Sequence, residues 1–129
     1  MQHWSDPYIG TPYAQYDCAA MAALVQREVF GREISLPSDR AEGLRAQSRQ
    51  LQDLQADYAQ PVAQPIEGDA VLMRGRGRIN HVGVYTVIGG VAYVLHAMKK
   101  PGHTCLHRLR DLHLYGLQVE GFYAWLIRA

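Results

Sequence analysis

Two runs rich in β-branched and aromatic residues, Ile79–Ile88 and Val91–Met98, are separated by nothing but Gly89-Gly90. A Gly-Gly pair readily takes the positive φ angles of a two-residue turn, so the pattern predicts a β-hairpin with Ile88 opposite Val91. That prediction acts as a ruler. Counting outward from the turn sets Gly83 opposite His96 and His81 opposite Met98. Opposite residues share a sheet face, as do residues two apart on one strand. His81 and His96 therefore lie on one face as diagonal neighbours, with Gly83 between them carrying no side chain to hold the rings apart. A one-residue slip in the turn would move one histidine to the other face.

The rest of the chain supplies helices first and strands later. Asp17 is a good N-cap for a helix over Cys18–Phe30, which contains Ala19, Ala20, Ala22, Ala23, Leu24 and Val25 and ends at Gly31. This segment is apolar nearly all round and is expected to be buried. A second helix is predicted from Asp39, which forms a capping box with Glu42, toward Tyr58, with Leu44, Leu51, Leu54 and Tyr58 on one stripe. Asp69–Met73 reads as a strand, residues 75–78 (GRGR) as a loop, and Cys105–Leu112 and Gly121–Ile127 as weaker strands. Helices followed by an antiparallel sheet define the α+β class.

Composition limits the functions open to such a domain. The chain has 129 residues, 48% of them hydrophobic and 19% charged, which suits one globular domain over residues 1–129. Its 13 Lys+Arg nearly balance 12 Asp+Glu, so no nucleic-acid footprint is written into the total charge. No apolar run is long enough to span a bilayer. The start MQHWSDPYIG lacks the basic and apolar regions of a signal peptide, so a cytoplasmic origin is expected. Cys18 and Cys105 allow one disulfide at most.

Cys18 stands at the first turn of its helix, where the positive end of the dipole is expected to lower a thiol pKa. Two same-face histidines offer a base and an orienter for that sulfur, the set that nucleophilic catalysis requires. A zinc reading of Cys18, His81, His96 and His103 lacks any CxxC or HxxxH spacing, and no metal or other cofactor is expected. His3, His107 and His113 are expected at the surface.

The segments TyrAspCysAlaAla at 16–20, GluGlyAsp at 67–69, HisValGlyValTyr at 81–85 and ValLeuHisAla at 94–97 together resemble the NlpC-type cell-wall peptidases of the papain-like clan. The resemblance runs over about Tyr8–Met98. It implies a papain-like fold with a nucleophilic Cys18 at a helix N-terminus, His81 as base and His96 as the third triad member. It also implies hydrolysis of an amide bond in peptidoglycan stem peptides. Tyr13, in a GlyThrProTyr segment, is implied to lie near the substrate, and Asp17 and Gly83 are expected beside it. The backbone N–H of Cys18 is the expected oxyanion donor, with Tyr13 as a second. Ala19 and Ala20 stand where the family usually has Ser-Gly, and its Trp-Gly-Gly loop is absent, which alters the expected cleft. Short relatives associated with phage tails imply a tail or other assembly partner, carriage on a virion or delivery to the wall. Two alternatives accompany this reading: an acyltransferase or deacylase of the same clan acting on a lipid or modified amine, and a tail assembly domain without turnover.

Overall fold

The computed structural model describes residues 2–34 and 59–125. Their order is a 3₁₀ turn at Asp6–Tyr8, helix α1 at Cys18–Val29, strands β1 (Ala59–Val62), β2 (Ala70–Gly75), β3 (Arg78–Ile88), β4 (Val91–Met98) and β5 (His103–Arg108), a 3₁₀ segment at Leu109–Tyr115, and β6 (Leu117–Trp125). The strands form one antiparallel sheet in the order β1-β6-β2-β3-β4-β5. The α+β class expected from the sequence is the class observed. The helix predicted from Asp39 toward Tyr58 lies outside the described residues.

The Gly89-Gly90 turn forms with φ of 60° and 79°, and Ile88 pairs with Val91. Continuous pairing between β3 and β4 runs from that pair to Val84↔Leu95. Residues 75–78, expected as a loop, are instead a tighter hairpin: Gly75 pairs with Arg78 and only Arg76 and Gly77 turn the chain, both at positive φ. Of the two weaker strands, the first ends at Arg108 and gives way to the 3₁₀ segment. The second begins earlier than expected, at Leu117. Strand β1, on Ala59–Val62, had no clear signal because AlaGlnProVal carries little β-propensity; pairing to β6 makes it a strand.

Side-chain alternation divides the sheet into two packed faces. On one, Ala70, Leu72, Val82, Val84, Leu95 and Ala97 meet Met21, Ala22, Leu24 and Val25 of α1. On the other, Val71, Met73 and Val94 meet Leu112 of the 3₁₀ segment. Helix α1 buries one side only: Ala20, Arg27 and Glu28 are exposed, which corrects the expectation of an all-round buried helix. Small Ala side chains do not by themselves declare which side is wet.

The N-terminal segment pairs with the first residues of β5, at the edge of the sheet. Gly10 N–H donates to Thr104 O (2.9 Å), Thr104 N–H to Thr11 O (2.9 Å) and Tyr13 N–H to Gly102 O (2.9 Å). This pairing covers the start of the strand edge and ties down the chain before it enters α1. A polar corner at residues 66–69 anchors the other end of the helix. Gln26, fully buried, donates to Gly68 O (2.9 Å), which also accepts from Trp125 Nε1 (3.0 Å). Glu67 accepts from Trp4 Nε1 (3.2 Å) and Thr86 Oγ1 (2.7 Å), while Asp69 accepts from Ile66 N–H (2.9 Å).

Gly83 is the most crowded of the described glycines. A Cβ there would overlap Val94 Cγ2 and come within 3.1 Å of His96 Cβ and 3.0 Å of the Leu95 carbonyl. Gly83→Ala is expected to destabilise the fold by about 1–3 kcal/mol, the usual cost of overpacking. Adding Val94→Ala should restore part of that loss, because one of the crowding groups is a removable methyl. Urea midpoints of the two variants and the wild type measure this; a double variant no more stable than Gly83→Ala would show that Val94 is not the clash.

Candidate active site

The site begins with the helix cap. Asp17 adopts extended backbone and its Oδ1 accepts from Ala20 N–H (2.9 Å), so α1 starts at Cys18. The N–H groups of Cys18 and Ala19 have no intrahelical carbonyl to bond, as at any helix start. Both lie against the Cys18 sulfur, as does the backbone N–H of Val82. Hairpin geometry accounts for the last contact. In a two-residue turn Ile88 and Val91 exchange backbone bonds, and every second pair outward does the same. Val82 N–H therefore points toward β4, just past the last continuous pair at Val84↔Leu95. The sulfur approaches from the α1 side at the place where the two strands part.

The thiol is shifted toward its neutral form. Burial is the leading cause and the adjacent Asp17 carboxylate adds to it, against the lowering effect of the three backbone N–H groups, so that the pKa stands at about 11. This corrects the expectation of a lowered pKa: loss of hydration outweighs the helix dipole, and the residue that caps the helix contributes an opposing charge.

His81 and His96 share a face and are bonded to each other, with Nε2 of His81 2.7 Å from Nδ1 of His96 and the ring planes at 65°. Burial lowers the His81 pKa to about 4. His96 is 1% exposed and is held well below the usual imidazole range, by burial first and then by the neighbouring rings of His81 and His107. Cys18 and His81 are both neutral at pH 7 and each retains partial exposure. The sulfur touches the backbone of Val82, the neighbour of His81, and no bond joins it to the His81 ring, whose side-chain partner is His96.

The third imidazole was not anticipated. His107 Nδ1 lies 2.9 Å from His96 Nε2, and its ring stacks on Tyr115 at 3.9 Å and 13°. The expectation that His107 is a surface residue is therefore wrong. His96 pairs with Cys105 across β4–β5, which makes His107 its diagonal neighbour on the same face. The sequence held part of that signal, since 103, 105 and 107 alternate, but residues 99–102 carry no two-residue turn from which to count the register. His3 is also half-buried, bonded to Ser5 Oγ (2.7 Å) and Thr86 Oγ1 (3.2 Å); His113 is exposed.

Of the residues expected near a substrate, Tyr13 is half-buried at the β5 edge and Asp17 is occupied as the helix cap. Gly83 is buried, and its visible part is to admit His96 beside His81. Cys105 is a free, buried thiol whose Sγ lies 3.6 Å from His103 Nδ1. Among the described residues, no three His, Cys, Asp or Glu side chains are grouped to hold a metal ion, and no helix is long and apolar enough to cross a membrane.

Comparison with known proteins gives one finding. Residues 7–111 match the NlpC/P60 family. No curated protein and no solved structure matches the chain.

The buried neutral groups set the pH dependence of folding. His81 titrates at about 4 in the folded protein against 6.5 ordinarily. Between these values the unfolded chain holds a proton that the native state does not, so stability falls as pH drops below about 6.5. Cys18 works in reverse: between its ordinary 9.0 and about 11 the native state keeps a proton that the unfolded chain has lost. Stability therefore also falls as pH rises above about 9. Each group contributes a slope of up to about 1.4 kcal/mol per pH unit inside its window. Urea midpoints should peak between these limits, and a midpoint unchanged from pH 7 to pH 5 would contradict the neutral burial of the histidines.

Proposed function

The chain belongs to the NlpC/P60 family of cell-wall cysteine peptidases and amidases, and from that premise we propose that it hydrolyses an amide bond in the stem peptides of peptidoglycan. Cys18 is the nucleophile, His81 its base and His96 the group that orients the base. The observation that carries this reading is the 2.7 Å bond between His81 Nε2 and His96 Nδ1, which leaves His81 Nδ1 as the ring nitrogen available for proton transfer. The Cys18 sulfur lies against the backbone of Val82, the next residue along β3.

The reaction starts from a neutral pair. As the sulfur attacks the amide carbonyl, the S–H proton moves to His81 Nδ1 and the carbonyl oxygen gains negative charge. The N–H groups at the start of α1, which have no helical partners, receive that charge, with Tyr13 as a second donor. Collapse of the tetrahedral intermediate breaks the C–N bond while His81 returns the proton to the leaving amine. Water, deprotonated by His81, then hydrolyses the thioester and regenerates the thiol. Transfer coupled to attack suits pKa values of about 11 and about 4, since both shifts favour the neutral forms over a preformed thiolate–imidazolium pair.

Incubation with purified peptidoglycan fragments, read by mass spectrometry, is expected to yield new amine termini within the stem. Cys18→Ala and His81→Ala should each abolish turnover, by a factor of 10³ or more on the scale of lost nucleophile or base. His96→Asn or His96→Gln should retain measurable activity and His96→Ala less, while Cys105→Ala should keep it. Activity that survives Cys18→Ala would overturn the assignment, and intact stems with wild-type protein would leave the fold serving the clan's acyl chemistry on another substrate or an assembly role.

A further inference from the structure

The three imidazoles form a directed chain. His81 Nε2 faces His96 Nδ1 at 2.7 Å, and His96 Nε2 faces His107 Nδ1 at 2.9 Å. A bond between two ring nitrogens needs one proton, and a neutral imidazole carries only one. Two arrangements satisfy both bonds. In the outward one, all three rings carry their proton on Nε2: His81 donates to His96, and His96 donates to His107. In the inward one, all three carry it on Nδ1, and His107 donates to His96. Because each ring passes the constraint to the next, the tautomer of His107 decides the tautomer of His81.

Only the outward arrangement leaves a lone pair on His81 Nδ1. We propose that His107 is a positioning residue: it accepts from His96 Nε2–H and so holds His81, two rings away, in the tautomer that can take the Cys18 proton. The inference rests on the reading of Cys18 and His81 as the working pair.

The surroundings of His107 suit an acceptor at Nδ1. Its ring lies flat against Tyr115, with Nδ1 aimed at His96. Its other nitrogen, Nε2, is then the one that carries the proton, on a ring that is only half-buried. The titratable and charged groups that bear on the ring are His96 from β4, His103 from its own strand, and Asp111 and Tyr115 from the 3₁₀ segment. Burial and His103 act to keep it neutral, with Asp111 opposing them. Protonation would turn Nδ1 into a donor, and the outward arrangement would be lost.

Two variants isolate the acceptor. His107→Phe keeps a flat ring for Tyr115 and removes the nitrogen; His107→Asn sets an amide oxygen close to the position of Nδ1. The substrate-independent readouts are ¹⁵N NMR of the imidazoles and the rate of Cys18 alkylation by iodoacetamide, mapped by peptide mass spectrometry. In the wild type, His81 and His96 should both appear as neutral Nε2–H tautomers. His107→Phe should mix or reverse them and slow Cys18 alkylation at pH 7 about tenfold, while His107→Asn should restore both to within about threefold of wild type. If the wild type cleaves peptidoglycan, kcat should follow the same order with KM nearly constant. Wild-type His81 found protonated at Nδ1, or His107→Phe with unchanged tautomers and alkylation, would overturn the proposal. A wild type inert toward peptidoglycan but showing the NMR and alkylation pattern would sink the substrate assignment and leave the role of His107 standing.

Discussion

Ile88 and Val91 close a turn of two residues, and from that pair outward the side chains of β4, and those of β3 back to His81, where a bulge interrupts the alternation, are each committed to one face. Val82, Val84, Leu95 and Ala97 go under α1, while His81, Gly83, Val94 and His96 go to the other side. The same commitment directs backbone groups. It aims the Val82 N–H toward β4 just where continuous pairing has stopped, and the sulfur at the head of α1 occupies that position. Both layers and the candidate site are thus arranged by the parity of one hairpin.

Packing sets the protonation states within this arrangement. Cys18 and His81 are shifted in the directions that keep each neutral, up to about 11 and down to about 4, with burial the leading cause for both. A helix dipole and three N–H groups act on the thiol in the opposite sense and are outweighed. A charge-separated resting pair runs against the direction in which burial shifts both groups. Under the proposed mechanism charge develops during attack, close to donors already in place, in keeping with electrostatic preorganisation.

The residues around the site divide their labour between chemistry and support. Glu67, Gly68 and Asp69 lie in a segment that resembles the family, yet their observed bonds hold Trp4, Thr86, Gln26, Trp125 and Ile66. These ties lock the far end of α1 to β3 and β6. The edge pairing of residues 10–13 on β5 locks its near end. A helix held at both ends places its first residue reproducibly, as the nucleophile proposed for Cys18 requires.

Local chemistry made much of this legible. Asp17 before an Ala-rich run marked the helix start to the residue, and Gly89-Gly90 marked the one turn whose register could be counted, which brought His81 and His96 to one face. The α+β class followed from the order of periodicities. What stayed hidden depended on partners distant in the chain: β1, which is a strand because β6 pairs with it; His107, whose place depends on a β4–β5 register that residues 99–102 do not announce; and the thiol pKa, where a dipole readable from the sequence is overruled by burial that only the packed fold creates. Turns and caps are local and leave their mark in neighbouring residues, whereas desolvation and cross-strand contact are sums over atoms that meet only when the chain is folded.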